Sequence, residues 1–202
     1  THILTRHEQA AAHAADAYTR SSGKIGVCIT TASPGAYNTT MALATAFKDN
    51  VPILLLTGDN DLKFRNTDSF QSLPVFDTFK HITRASYNPL NGTEAIYALK
   101  AAIYELKTMP KGPIHINLSK DVLSSEDFQD FDLCYLCEDD MSQIADAQKI
   151  IDSSEKPLFI MGAGALSQKD ELSEIAHKYH IPVTTTFHAK GIISELDDLN
   201  LG

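Results

Sequence analysis

Short apolar runs alternate with stretches of helical periodicity from the start of the chain to about residue 122. The runs have the length and composition of buried strands, and between them apolar residues recur at the three- and four-residue spacing of a helix face. Strands that alternate with helices in this way are typical of a parallel sheet covered by helices on both faces. The pattern predicts strands at 2–5, 25–30, 51–57, 82–87 and 114–118, and helices at 8–22, 36–47 and 93–108.

The alternation stops after residue 122 and returns after residue 141. Residues 123–141 are rich in Asp and Glu and have few periodic apolar positions, which favours a linker. The segment 142–202 predicts two helices, two strands and a Gly162-Ala163-Gly164 turn, too little sheet for a complete domain. We therefore expect an α/β domain at 1–122, a linker at 123–141, and part of a Rossmann-like α/β domain at 142–202.

Composition and charge narrow the class of protein. The 202 residues include Lys+Arg 17 and Asp+Glu 26, which gives a net charge of −9 and disfavours nucleic acid as a partner. No apolar run approaches the roughly 20 residues that span a bilayer, so we expect no membrane partner. The three cysteines are an odd number, which argues against a disulfide framework and favours a reducing, cytoplasmic location.

Two spacings of metal-binding residue types occur, but neither predicts a metal site. Cys134 and Cys137 form a CxxC without the second pair that a zinc site needs, so inert thiols are the better interpretation. His177 and His180 are three residues apart on a predicted helix without an accompanying carboxylate pattern, which favours a solvated helix end. We predict no metal ligand in the chain.

Three segments at predicted strand ends carry the candidate chemistry. Glu8 lies between a predicted strand and a helix, where open α/β sheets bind ligands, although a carboxylate at a helix start also interacts favourably with the helix dipole. The turn at 31–38 offers backbone N–H groups to a ligand, although a simple turn also uses Pro and Gly. A polar loop then brings an aromatic side chain, Phe70, next to an amide, Gln71.

In this order and at these intervals the segments resemble a known family. The motifs are Arg6-His7-Glu8-Gln9-Ala10-Ala11, Thr31-Ala32-Ser33-Pro34-Gly35-Ala36-Tyr37-Asn38, Asn66-Thr67-Asp68-Ser69-Phe70-Gln71, and Gly112-Pro113 followed by Ser119-Lys120-Asp121-Val122. They resemble the pyrimidine-binding domain of thiamine-diphosphate-dependent enzymes, most closely that of acetolactate synthase (acetohydroxyacid synthase) catalytic subunits. The likeness continues at 162–164 and 181–186, which are similar to the family's middle domain.

The resemblance implies a reaction and a catalytic residue. The reaction is thiamine-diphosphate-dependent decarboxylation of pyruvate and carboligation to a second 2-keto acid, as in branched-chain amino-acid biosynthesis. Glu8 would hydrogen-bond the pyrimidine ring of the cofactor and assist removal of the proton from the thiazolium carbon. In an apolar pocket the pKa of this carboxyl group would be raised. Pro34, Gly35 and Asn38 would line the pyrimidine pocket.

The resemblance also implies further sites and partners. Phe70, Gln71 and Lys120 would lie near the substrate cleft, where Lys120 attracts a carboxylate. Mg²⁺ would be held by a domain of the family whose Gly-Asp-Gly motif this chain lacks. The family forms a homodimer or tetramer with the active site across the subunit interface, and some members have a regulatory subunit. An FAD site would involve Lys111, Gly162, Ala163, Gly164, Thr185 and Thr186.

Several positions depart from the family pattern. Ser33 replaces a glycine, which questions the turn geometry because only glycine adopts positive φ freely. Asp59 and Ser72 replace a Gln and a Glu, and Lys111 stands one position after a flavin-binding Arg that is absent. These departures keep two alternatives open: a pyruvate oxidase or other 2-keto-acid decarboxylase, and a non-catalytic α/β module that needs a partner chain. We expect this chain to be a piece of the enzyme and inactive alone.

Overall fold

The chain forms two compact units, Thr1–Tyr135 and Leu136–Gly202. The computed structural model describes residues 2–65, 67–126, 128–130 and 143–202. The helices of the first unit are α1 (Glu8–Ser22), α2 (Ser33–Tyr37), α3 (Thr40–Asp49), α4 (Val75–Phe79), α5 (Gly92–Glu105) and α6 (Lys120–Leu123), with a 3₁₀ turn at Leu62–Phe64. Its strands are β1 (Gly26–Thr30), β2 (Ile53–Asp59), β3 (Ala85–Tyr87) and β4 (Ile114–Ser119).

The four strands form one sheet of order β1-β2-β4-β3, and every pair is parallel. Thr30 is the register partner of Thr57, which in turn is the partner of Asn117. The carboxyl ends of β1, β2 and β4 therefore meet at one edge of the sheet. The segments that carry Asn38, Phe70 and Lys120 follow these strand ends, and Glu8 reaches the same edge from the start of α1. The predicted parallel sheet flanked by helices is confirmed.

The core lies on both faces of the sheet. On one face the small side chains of α1 and α3 pack with Leu55 and Phe79, and on the other Ala98 and Ala102 of α5 pack against Ile116. Burial of aliphatic and aromatic side chains of this size is worth about 1.5–3 kcal/mol each. Because helices pack on both sides of the sheet, both faces of β2 are buried, which explains its continuous apolar run.

Close approach of α1 to β1 depends on one glycine. A Cβ on Gly26 would lie 2.2 Å from the carbonyl oxygen of Ala15, so any side chain there would push the helix away. The hydroxyl of Thr19 fills the remaining space by donating to that carbonyl oxygen at 3.0 Å and accepting from the N–H of Gly26 at 2.8 Å. The crossing fixes the start of α1, and hence Glu8, relative to the sheet.

Two expectations for the first unit are wrong in detail. Residues 2–5 do not form a strand: Ile3 and Leu4 are 77% and 89% exposed and pair with no neighbouring strand among the described residues. The turn at Pro34 is the first part of helix α2, because proline fits the first positions of a helix. Helix α6 ends at Leu123, where the expected linker begins, and most of that linker lies outside the described residues.

The second unit contains a smaller parallel sheet of two strands. Val183 and Ala176 are fully buried in its core, which also contains Met161. The strands are β5 (Phe159–Met161) and β6 (Val183–Thr185), the helices are α7 (Ile144–Asp152) and α8 (Lys169–Tyr179), and 3₁₀ turns lie at Ala163–Gln168 and Phe187–Ala189. Among the residues that the structure describes, no helix has the length and apolar character needed to cross a membrane.

Candidate functional site

Glu8 is the first residue of α1, and the local sequence fixes it there. The Nδ1 atom of His7 accepts a hydrogen bond from the N–H of Gln9 at 3.1 Å and so caps the helix. The carboxylate of Glu8 reaches the segment after β1, where the side-chain Nδ2 of Asn38 donates to Oε2 at 3.0 Å. The structure thus brings together two predicted site residues that are 30 positions apart.

Gly35 forms the floor beneath this carboxylate. A Cβ at Gly35 would lie 3.2 Å from Oε1 of Glu8 and 2.8 Å from Cγ2 of Thr31. The absence of a side chain therefore lets α2 approach Glu8 directly. Pro34 precedes it in the first turn of α2 and is exposed. Glu8, Pro34, Gly35 and Asn38 lie in one partly open site at the carboxyl edge of the sheet.

The electrostatics of Glu8 differ from the expectation. The hydrogen bond from Asn38, followed by one from the backbone of Glu8 itself, lowers the pKa of the Glu8 carboxyl group. The predicted raised pKa is wrong for this structure, because the group is half-exposed and hydrogen-bonded rather than enclosed by apolar side chains. Burial, and then the Glu8 charge, raise the pKa of the neighbouring Cys28 thiol to about 11, so this thiol stays protonated at neutral pH.

The loop that carries Phe70 and Gln71 is attached to two strand ends. Nδ2 of Asn60, just after β2, donates to the carbonyl oxygen of Phe70 at 2.7 Å. The hydroxyl of Ser33, just after β1, donates to the carbonyl oxygen of Gln71 at 2.6 Å. The Phe70 side chain itself is 83% exposed. Ser33 begins α2 and does not have a positive φ. A serine at this position, in place of the glycine of the family pattern, therefore does not disturb the turn.

Lys120 lies at the same edge of the sheet. It follows β4 directly as the first residue of α6 and is exposed. Its neighbour Asp121 accepts a hydrogen bond from the N–H of Leu62 at 3.0 Å, which links the end of β4 to the segment after β2. An exposed cation at this edge can attract an anionic ligand.

Comparison with known proteins assigns the sequence to a family. Residues 1–80 match the model described as the thiamine pyrophosphate enzyme N-terminal TPP binding domain, and residues 144–202 match the thiamine pyrophosphate enzyme central domain. The chain belongs to the thiamine pyrophosphate enzyme family. The first match includes Glu8, the start of α2 and the Phe70–Gln71 loop, whereas Lys111 and Lys120 lie between the two matches.

Relatives within this family are acetolactate synthases. The chain is 37% identical over 213 residues to a probable acetolactate synthase large subunit of Methanocaldococcus jannaschii, and 39% identical over 213 residues to the acetolactate synthase large subunit of Pyropia yezoensis. It is 36% identical over 218 residues to the acetolactate synthase of Arthrospira platensis. Each comparison covers 100% of this chain, which spans 36–37% of the length of these relatives.

The expected flavin residues of this thiamine pyrophosphate family member fall into two groups. Lys111 precedes β4 and so lies at the amino edge of the sheet, away from Glu8, where its carbonyl oxygen accepts from Nε of Arg84 at 3.2 Å. In the second unit, a Cβ on Gly162 would lie 4.0 Å from Oγ1 of Thr186. The two parallel strands therefore bring the 162–164 turn next to Thr186, while Thr185 lines a cleft of about 380 Å³.

A buried polar network is the feature that sequence reasoning missed. The imidazole of His115 is fully buried in β4, with Nε2 at 2.8 Å from Oγ1 of Thr57 and Nδ1 at 2.8 Å from Oγ of Ser86. The ring of Phe79 lies over it at a centroid distance of 4.7 Å. Burial lowers the pKa of His115 to about 3, so the ring is neutral in the folded protein.

The network continues to the carboxyl edge. Asn117 accepts from the Thr57 hydroxyl at 2.9 Å and donates to Oδ2 of Asp59 at 2.7 Å. Oδ1 of Asp59 accepts from the N–H of Asn60 at 2.8 Å, and Asn60 holds the Phe70 carbonyl. The signal in the sequence was the alternation of His115 and Asn117 with isoleucines in β4, since both polar residues point to one face.

The two metal-like spacings have ordinary surroundings where they can be described. The Nε2 atom of His177 pairs with Oδ2 of Asp197 at 2.9 Å, and His180 ends α8 with a left-handed backbone. The CxxC at 134–137 lies outside the described residues. Within the described ranges, no group of three or more His, Cys, Asp or Glu side chains could hold a metal ion.

Proposed function

We propose that this chain supplies the pyrimidine-binding part of an acetolactate synthase, which decarboxylates pyruvate and joins the remaining two carbons to a second 2-keto acid. The observation that carries the proposal is the contact of Glu8 with Asn38 above Gly35. A carboxylate at the start of a helix and beside a side-chain-free floor fits a flat, hydrogen-bonding heterocycle. The named function of the relatives supports the choice within the family.

The residues of this site fit the pyrimidine ring of thiamine diphosphate. That cofactor, when bound, supplies a nucleophilic carbon that can form and break bonds to a keto carbon. In our proposal Glu8 exchanges a proton with a ring nitrogen, and Asn38 keeps the carboxylate oriented toward it. A ring placed over Gly35 would also displace water from Glu8, which raises the pKa of a carboxyl group and suits it to proton exchange.

The substrate residues have a division of roles in this proposal. Phe70 offers an exposed apolar surface and Gln71 an amide, so that together they suit the short carbon chain and keto oxygen of a 2-keto acid. Lys120 attracts the substrate carboxylate. Their attachment to the same sheet edge as Glu8 supports the assignment.

Further cofactors and partners belong to the proposal for the complete enzyme. We propose Mg²⁺ bound by residues outside this chain, and an FAD site in the second unit formed by Gly162, Ala163, Gly164, Thr185 and Thr186. The 162–164 turn beside Thr186 supports the flavin site. The relatives are named large subunits, which supports a smaller regulatory partner in a homo-oligomer. The odd cysteine count supports a cytoplasmic location.

We also propose that the two units are separate domains, at 1–122 and 142–202, joined by a linker at 123–141. Limited proteolysis tests this division. First cleavage between 123 and 141 supports it, whereas first cleavage within a core strand such as β1 contradicts it.

The Glu8→Gln variant of the complete enzyme tests the function. Acetolactate formation from pyruvate, measured with saturating thiamine diphosphate, Mg²⁺ and FAD, should fall about 10²–10⁴-fold because the amide cannot exchange the proton. The matched control is Glu94→Gln, which alters another carboxylate in the first turn of a helix, α5, where Glu94 accepts from the N–H of Leu90. This control should keep its activity.

The outcomes of the same assay separate the alternatives. Loss of activity in Glu8→Gln alone supports the proposal. Equal activity in both variants would mean that Glu8 only stabilises the start of α1. Wild-type enzyme that forms acetyl phosphate or acetaldehyde instead of acetolactate indicates an oxidase or a decarboxylase. A wild-type enzyme without any turnover of 2-keto acids indicates a non-catalytic module.

A further inference from the structure

We propose that Ser33 is a positioning residue whose hydroxyl fixes the backbone of Gln71, and with it the substrate loop 69–73, to the start of α2. This inference rests on the proposed function, in which that loop contacts the 2-keto acid. Ser33 is fully buried. Its Oγ donates to the carbonyl oxygen of Gln71 at 2.6 Å and accepts from the N–H of Leu73 at 3.1 Å, so it satisfies two backbone groups of the loop.

The backbone of Gln71 needs such support. Its φ is +58°, in the left-handed region that side chains rarely adopt. The other described non-glycine residues with positive φ, Asn50 and His180, end helices α3 and α8, where this conformation is common. Gln71 does not follow a helix, and such a conformation persists only where surrounding contacts determine it. The two bonds to Ser33 are such contacts, beside the turn bond from the N–H of Ser72 to the carbonyl oxygen of Ser69.

The loop is held through its backbone, which leaves the side chain of Phe70 available to a ligand. Asn60 donates to the carbonyl oxygen of Phe70, and Ser33 donates to the carbonyl oxygen of Gln71. Residues that follow two different strands therefore bind consecutive peptide groups of the loop. The Phe70 side chain remains 83% exposed. This combination is typical of a loop that presents a side chain to a ligand, because a rigid backbone lowers the entropy that binding must remove.

Ser33 also joins the two halves of the proposed site. It is the first residue of α2, the helix that brings Gly35 to the Glu8 carboxylate. The hydroxyl therefore connects the proposed pyrimidine site to the substrate loop.

Steady-state kinetics of the complete enzyme test the role of Ser33. In Ser33→Ala we expect the KM for pyruvate to rise about tenfold, the scale of losing the two modest hydrogen bonds of one buried hydroxyl, while kcat at saturating pyruvate stays within about twofold. Ser33→Gly removes the same hydroxyl and should give the same split. The matched control is Thr39→Val, which removes a fully buried hydroxyl that donates at 2.6 Å to the carbonyl of Ala36 and does not contact the loop.

Hydrogen exchange provides a readout that does not depend on activity. The N–H of Ser72 donates to the carbonyl oxygen of Ser69 at 3.0 Å, so its exchange reports the order of the loop without involving Ser33 directly. Exchange of the Ser72 amide should accelerate about tenfold in Ser33→Ala and not in Thr39→Val. Adding Gln71→Gly, which tolerates positive φ, should restore slow exchange in the Ser33→Ala background.

The results separate this inference from the proposed function. A wild-type enzyme that forms no acetolactate contradicts the proposed function, while hydrogen exchange still decides whether Ser33 orders the loop. An active wild type whose KM and loop exchange are unchanged in both Ser33 variants overturns the inference alone. A kcat that falls while KM stays constant overturns it as well, because the hydroxyl would then act on the chemical step rather than on substrate positioning.

Discussion

Asn38 donates a hydrogen bond to Oε2 of Glu8 at 3.0 Å and joins the segment after α2 to the first turn of α1. This bond is the largest influence on the Glu8 carboxyl group and lowers its pKa. The proposed catalytic carboxylate is thus ionised and oriented before any ligand arrives. The energy of reorienting it does not have to come from cofactor binding.

The first prediction concerns the ionisation of Glu8. Replacing Asn38 by Leu removes the donor, so the pKa of Glu8 should rise because the charged form loses its main hydrogen bond. A ¹³C NMR titration of the side-chain carboxyl groups measures this shift. The control Asn91→Ala removes the capping side chain of α5 and should leave the Glu8 titration unchanged. An unshifted Glu8 in Asn38→Leu would mean that the contact is not formed in solution.

The second prediction concerns the floor of the site. Gly35→Ala places a methyl group 2.8 Å from Cγ2 of Thr31 and 3.2 Å from Oε1 of Glu8, so the carboxylate must move. We expect a loss of about 1–3 kcal/mol in the free energy of unfolding, and cofactor-dependent activity reduced about 10²-fold in the complete enzyme. Thermal denaturation and a thiamine diphosphate titration of activity measure the two effects.

The control for the second prediction is Gly58→Ala. A Cβ at Gly58 has its nearest neighbour at 3.7 Å, an ordinary contact. Its stability and activity should therefore remain close to wild type. If Gly35→Ala behaves like Gly58→Ala, the site tolerates a side chain beneath Glu8. A glycine would then not be required at position 35.

The local sequence pattern predicted an element well where residues of that element alone define its first and last positions. Helix α1 has its predicted bounds, Glu8–Ser22, because alanine periodicity defines its face and Gly23 ends it in a left-handed conformation. Helix α4 was missed because its five residues follow Pro74 and contain too little periodicity to detect. The expected strand at 2–5 failed for the opposite reason: its apolar residues suit a strand, but strand formation requires a partner.

The candidate site was predictable in its residues but not in its electrostatics. Motif order placed Glu8, Gly35 and Asn38 in one family pattern, and they do lie together. The direction of the Glu8 pKa depended on a side-chain contact across 30 positions, which no local pattern contains. The alternation of His115 and Asn117 marks one polar face of β4, but no local pattern identifies the partners of His115, since Thr57 and Ser86 come from two other strands.

The third prediction concerns the pH dependence of stability. Burial lowers the pKa of His115 to about 3 in the folded chain, below the usual value near 6.5 of an unfolded chain. Between these values the unfolded state binds a proton that the folded state does not. Stability should therefore be fully present above about pH 6.5 and decrease as the pH falls toward 3, by several kcal/mol for this group.

Thermal denaturation of wild type and His115→Asn across this pH range measures the effect. The variant cannot titrate there, so its melting temperature should depend less steeply on pH. The control is His177→Gln, because a bond to the Ser173 carbonyl and the nearby Asp197 raise the pKa of this exposed imidazole. Removing a group with a raised pKa should not make the melting temperature fall less steeply at acid pH. Parallel curves for wild type and His115→Asn would contradict the assignment.

The final prediction is that this 202-residue chain by itself binds thiamine diphosphate weakly. Pro34 and Asn38 are exposed and Glu8 is half-exposed, so the proposed pocket covers only one side of the pyrimidine ring and leaves its hydrogen bonds in competition with water.

Charge works in the same direction. The cofactor carries its negative charge on the diphosphate, and the chain has a net charge of −9, so long-range attraction is absent. We expect isothermal titration calorimetry with Mg²⁺ present to give a dissociation constant well above micromolar. Glu8→Gln should weaken the remaining binding further, whereas Glu94→Gln should not. A micromolar constant for the isolated chain, about −8 kcal/mol, would mean that the site around Glu8 encloses the ring far more completely than its exposure indicates.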